Sequence, residues 1–319
     1  EKLVPGTEIY IPYGFDLVPS DVRWTSKLNE LVLEGLKLRY PFIGTETYGK
    51  SVMGRPLRAV SIGTGAAEAF FNASHHANEW ITTPLVLKFA ENYLKAYING
   101  SSIFGRDARE LFAKTRLFIA PLVNPDGVDL VNGVLGNARY EQQAKIIAAQ
   151  YPDIPYPDGW KANIDGVDLN LQFPAGWEQA RTIKFSQGYT TPAPRDYVGE
   201  APLTAVESIN VYEFTRMHDF RLIIAYHTQG EVIYWKYMDY EPDRSRQIAQ
   251  YFGNVSGYAV EETPTESGYA GYKDWFIQEY DRPGYTIEAG LGVNPLSMEQ
   301  FPQIYRDNYY ILVGGMTQI

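Results

Sequence analysis

The chain of 319 residues contains no cysteine and only four histidines. Without thiols there is neither a disulfide framework nor a thiolate metal site, so any bound metal must rest on histidine, aspartate and glutamate. Positive charge is also short: 28 Lys and Arg stand against 38 Asp and Glu, for a formal net charge of -10. Such an acidic chain lacks the electrostatic footprint of a nucleic-acid binder and offers no polybasic surface to anionic lipid. No apolar run reaches the roughly 18 residues that would cross a bilayer. What remains is a chain with 45% apolar residues, enough at this length to bury a large core. The expected partner is a small or peptidic substrate.

Strand and helix patterns alternate along the chain. Strand-like runs occupy Leu57 to Ile62, Ala67 to Ala73, Arg116 to Leu122, Arg221 to Tyr226, Val232 to Trp235 and Gly284 to Ile287. Helical patterns fill Asp21 to Arg39, Trp80 to Tyr97, Thr204 to His218, Pro242 to Phe252 and Leu296 to about Val313. In the first of these, Leu28, Leu31, Val32 and Leu36 form the predicted apolar face, with Ser20 as N-cap. There is no internal repeat. The pattern predicts an α/β fold, a mixed central sheet with helices on both faces, with its function in loops at strand ends.

Two of the four histidines sit side by side in FNASHHANEWITTP, Phe71 to Pro84. His76 and Glu79 stand at i and i+3 after an apolar run, and imidazole and carboxylate are two of the three donor types of a hydrolytic zinc site. A third donor, His227, directly follows the buried strand RLIIAY. Carboxylates mark two further strand or turn ends, Asp168 in GVDLN and Glu288 in GYTIEAG. His75 is out of register with Glu79 and is expected to be structural; His218, near a helix end, is expected to face the helix dipole.

Taken with Asn124-Pro125-Asp126-Gly127 and Asp274-Trp275, these motifs resemble the A-type zinc carboxypeptidase superfamily in order and spacing, from about Ser20 to the C-terminus. The resemblance implies one Zn²⁺ per chain held by His76, Glu79 and His227, with an open position where water is acidified from a pKa near 15.7 to about 7. It implies Glu288 as general base, Lys161 as the cation facing the oxyanion, and Asp168 as the carboxylate that fixes the tautomer of His76. The family's mobile tyrosine would fall at Glu266 by ungapped counting, or at Tyr269 or Tyr272 after a small shift.

The departures bear on substrate. Asn170 is kept, but Leu171 stands where carboxypeptidases of the superfamily carry the arginine that grips a terminal carboxylate, and Asn78 replaces an arginine within the zinc motif. HANEWITT and GVDLNLQFPAGWE are similar to one bacterial branch, the γ-D-glutamyl-diamino acid peptidases, which cut peptidoglycan stem peptides. For that substrate, Lys273 and Glu266 are expected to meet the carboxylate and amine of the diaminopimelate D-centre. Arg139, Arg181, Arg195 and Arg282 are candidates for a displaced carboxylate anchor.

The opening Glu1 to Gly14 resembles the closing strand of a LysM repeat, which sets residues 1-19 apart as a LysM tail and linker and 20-319 as the catalytic domain. Peptidoglycan stem peptides are the expected partner, with glycan strands reached through a LysM module outside this chain, and the expected location is the bacterial cell wall, spore or exterior. Two other readings stay open: an ordinary carboxypeptidase with a displaced anchor, and a non-catalytic wall-binding protein.

Overall fold

A computed structural model describes residues 15–319; the LysM-like stretch lies outside the described residues. Its eight-stranded sheet runs, edge to edge, Gly44–Lys50, Pro56–Ile62, Thr115–Ala120, Ala67–Ala73, Phe220–His227, Gly284–Glu288, Val232–Tyr234 and Ala259–Glu261. The strands from Thr115–Ala120 to Gly284–Glu288 are parallel and central, and antiparallel pairs flank them. The predicted strands thus recur within a residue or two. Gly44–Lys50 carries no strand signal in the sequence because its composition, GTETYGK, leaves little apolar alternation to read.

The strand period of two decides which helix covers which face. Phe71, Leu222, Ile224 and Ile287 point into one core shared with helices Ser26–Arg39, Thr82–Asn99, Ser245–Ser256 and Phe301–Thr317. Their neighbours Phe70, Ile223 and Ala225 point the other way, into a second core with Val206–Arg216 and Tyr272–Tyr280. Helices therefore lie on both faces of a mixed sheet, and the parallel strands are buried on both sides. Among the described residues no helix is long and apolar enough to cross a membrane.

Two expectations for the first helix need correction. It starts at Ser26 with Thr25 as N-cap, accepting from Leu28 N, rather than at Ser20. Asp129 fixes that start by accepting from the backbone and hydroxyl of Ser26, at 2.8 and 2.5 Å. The buried face is Asn29, Val32, Leu33 and Leu36, while Leu31 is 57% exposed. His218 lies just past the end of its helix, its amide donating to Thr215 O at 3.3 Å, and its imidazole stacks on Phe220 with Nδ1 3.5 Å from Glu68.

Candidate active site

Three of the central parallel strands deliver site residues at their C-terminal ends. Ala67–Ala73 leads into the turn that carries His76 and Glu79, Phe220–His227 ends on His227, and Gly284–Glu288 ends on Glu288. A bracket below the turn holds it in place. Asn124 donates to the carbonyls of His75 and Ala162, at 3.1 and 3.0 Å, and accepts from Gly127 N. Gly127 is required there, since a Cβ would stand 2.7–2.8 Å from Asn124 Oδ1, Ala162 O and Ala77 Cβ. Ala77 N in turn donates to Lys161 O, which joins the turn to the Trp160–Asn163 segment.

The three donors converge. His76 Nδ1 lies 3.2 Å from His227 Nδ1 and 3.0 Å from Glu79 Oε1, and His227 Nδ1 lies 3.0 Å from Glu79 Oε2. Nitrogen and oxygen ligands at about 2.0–2.1 Å from one tetrahedral ion are about 3.3 Å apart, so these spacings fit a zinc donor set. The other face of His76 is committed: Nε2 is 3.1 Å from Asp168 Oδ1, which leaves Nδ1 as the free lone pair. Burial alone would lower the pKa of His76, yet the charges of Glu79 and Asp168 raise it to about 9. That pull on a proton is equally a pull on a metal cation. Glu79 is driven the opposite way: burial favours its neutral form, but His76 and Lys161 hold it well below the usual carboxylate range.

Lys161 Nζ is 2.9 Å from Glu79 Oε1 and borders the same space as Glu288. The Glu288 carboxyl is pushed up, first by burial and then by the charge of Glu79. A cavity of about 200 Å³ joins His76, Lys161, Asp168, Asn170, Lys273 and Glu288, and it opens onto a cleft of about 1160 Å³ bordered by Asn78. Asn170 also has a structural task, accepting from Tyr272 N at 3.0 Å. Lys273 is largely spent within the protein, paired with Asp274 and donating to Lys236 O at 2.7 Å.

The structure does not bring Glu266, Tyr269 or Tyr272 to the cavity. Glu266 lies exposed in the turn Thr265–Ser267 and borders neither the cavity nor the cleft. Tyr269 borders a separate pocket with Lys236, Tyr237 and Met238. Tyr272 is fully buried, its hydroxyl bonded to Thr215 and its ring stacked on His75. Counting along a loop carries no information about which side chains turn inward. The tyrosine that borders the cavity is Tyr234, on the strand antiparallel to Gly284–Glu288; strand pairing is the signal that could have found it. His75 is buried between His227 and Tyr272, and among the described residues its ring nitrogens have no hydrogen-bond partner, as suits a structural role.

A sequence profile described as zinc carboxypeptidase matches residues 30–310. The chain belongs to the zinc carboxypeptidase family. This zinc peptidase is 44% identical over 285 residues to the γ-D-glutamyl-L-diamino acid endopeptidase 1 of Lysinibacillus sphaericus, covering 89% of this chain and 70% of that one. It is 42% identical to the uncharacterized protein YqgT of Bacillus subtilis (strain 168), covering 86% and 72% of the two chains. Its fold is similar to that of carboxypeptidase A from Helicoverpa armigera, with a TM-score of 0.68 at 18% identity over 93% of this chain and 73% of that one. The cofactor of the family is zinc, and His76, Glu79 and His227 form the cluster positioned to hold it.

Proposed function

We propose that this zinc peptidase hydrolyses the bond between the γ-carboxyl of D-glutamate and the L-centre amine of meso-diaminopimelate in peptidoglycan stem peptides. The observation that carries the reading is Leu171. By the family resemblance it stands in place of the carboxypeptidases' terminal-carboxylate arginine; it borders the cavity and is buried in an apolar cluster with Trp177, Ala180, Val198 and Ala270. At position 171 itself there is no cation to hold a free carboxylate next to the scissile bond. The Lysinibacillus relative, named for the γ-D-glutamyl-diamino acid bond, supports the same choice.

Held by His76, Glu79 and His227, zinc would supply a Lewis acid and acidify a water at the site. Glu288 takes the water proton on its carboxylate and delivers it to the departing amine, a role worth roughly 10² to 10⁴ in rate. Lys161 places its ammonium where negative charge develops on the carbonyl oxygen. Asp168 holds Nε2–H of His76 and keeps Nδ1 available as a donor. Asn78, tied through Nδ2 to Asp158 O, borders the cleft as a substrate-binding residue.

On this reading the partners are peptidoglycan stem peptides and the site of action is the cell wall, spore or exterior. Residues 20-319 then form the catalytic unit and residues 1-19 a LysM tail and linker. The test is mass spectrometry of muropeptides digested with the zinc-loaded protein. Fragments ending in a free γ-carboxyl of D-glutamate are expected; release of C-terminal residues alone would return the protein to ordinary carboxypeptidase action.

A further inference from the structure

Leu171 removes one cation from the cavity wall, yet another reaches the same space from a different part of the chain. Of the four arginine candidates, Arg282 pairs with Asp219 near the N-terminal ends of the parallel strands, Arg181 lies over Phe185, and Arg139 lies over Tyr140. Arg195 alone among these borders both the cavity and the cleft.

Its position is built rather than incidental. Ala193 N donates to Gly166 O, and Pro194 O accepts from the amides of Lys161 and Ala162, which binds the segment to two site motifs. The backbone amide of Asp196 donates to Asp168 Oδ2 at 3.1 Å, so the carboxylate that orients His76 also fixes the residue next to Arg195. Asp196 then divides a single negative charge between two cations, Lys184 Nζ at 2.6 Å and Arg195 Nε at 2.7 Å. One positive charge on this wall is left without a matching carboxylate. Arg195 spends only Nε on Asp196, and among the described residues its two Nη atoms have no acceptor. A guanidinium fixed at one edge, with the other edge open to a cavity, has the geometry of a carboxylate fork.

We propose that Arg195 grips a free carboxylate of the substrate and sets the enzyme's specificity, taking over from a different loop the anchoring lost at position 171. This rests on the stem-peptide reading above. Three carboxylates share the required chemistry, the α-carboxylate of D-glutamate on the acyl side and the two of diaminopimelate on the leaving side. Arg195 borders both the cavity and the cleft, so a carboxylate on either side of the bond is a candidate partner.

The experiment compares wild type, Arg195→Gln and Arg195→Lys on three peptides: L-Ala-γ-D-Glu-meso-diaminopimelate, its D-glutamate α-carboxamide, and the form amidated at both diaminopimelate carboxylates. Zinc content is measured for each protein. In parallel, calorimetry reads peptide binding in a Glu288→Gln background. The expected result is a loss of about tenfold to a hundredfold in kcat/KM for Arg195→Gln on the free acid, carried mainly by KM, with full zinc content. Arg195→Lys recovers part of it. The loss should nearly vanish on one amidated peptide, and that peptide identifies the side of the scissile bond whose carboxylate is gripped. An equal loss on all three peptides, or none on any, overturns the proposal while leaving the substrate reading intact. If wild type cleaves none of them, the substrate reading fails separately, and calorimetry decides on Arg195: binding of the free acid that Arg195→Gln does not weaken, or no binding by the Arg195 protein, overturns it.

Discussion

Glu288 and His227 are directly paired in register across two parallel strands. Backbone hydrogen bonding, rather than a loop, therefore sets the proposed base beside a zinc donor, at the strand spacing of about 4.8 Å. Glu288→Gln keeps that shape but cannot accept the water proton. Turnover is expected to fall by two or more orders of magnitude, with zinc content and melting temperature unchanged. Near wild-type turnover would assign the proton to another group.

His227→Ala removes one of three convergent donors and should abolish both zinc content, read by elemental analysis, and activity. Asp168→Asn leaves the donors in place but no longer holds a negative charge against Nε2–H of His76. Its expected cost is about tenfold to a hundredfold in zinc affinity. An unchanged affinity in a chelator competition would reduce Asp168 to a packing role.

Gly127→Ala tests the bracket under the ligand turn. The added methyl meets Asn124 Oδ1, Ala162 O and Ala77 Cβ at 2.7–2.8 Å, so the bracket must open. A loss of about 1–3 kcal/mol in unfolding free energy is expected, together with weaker zinc binding. Full stability by urea unfolding would show that the turn can shift freely.

Tyr234 and Tyr272 should separate cleanly. Tyr234→Phe alters the cavity and is expected to lower kcat/KM on the muropeptide, whereas Tyr272→Phe deletes a buried bond to Thr215 and should cost about 1 kcal/mol of stability with little change in turnover. The reverse pattern would make Tyr272 the active tyrosine.

Away from the chemistry, burial raises the Glu207 carboxyl from 4.5 to about 7, against hydrogen bonds from Asn163 and Val52 N. The folded protein thus holds this proton more tightly than the unfolded chain does. The resulting stabilisation is fully present below the unfolded value of 4.5 and is lost as pH rises through about 7, a swing on the order of 3 kcal/mol. Glu207→Gln cannot lose that proton, so its stability should fall less than that of wild type between about pH 5 and 8. Parallel pH slopes in urea unfolding would place the effect elsewhere.

The sequence by itself determined the fold class and the zinc donors, because both are written in local signals. Short apolar runs in Ala67–Ala73 and Phe220–His227 mark buried strands, and the spacing of His76 and Glu79 brings both donors onto one short turn. His227 and Glu288 were legible for the same reason, each ending its own strand. The substrate wall was not. Arg195, Lys184 and Tyr234 come from three separate segments, while Glu266, Tyr269 and Tyr272, though close together in the chain, turn to solvent, to another pocket and into the core. Which side chains face a cavity depends on how loops close against one another, and that closure rests on long-range contacts such as Pro194 O to Lys161 N and Asp196 N to Asp168. Such contacts leave no periodicity in the sequence, so only the tertiary structure could decide them.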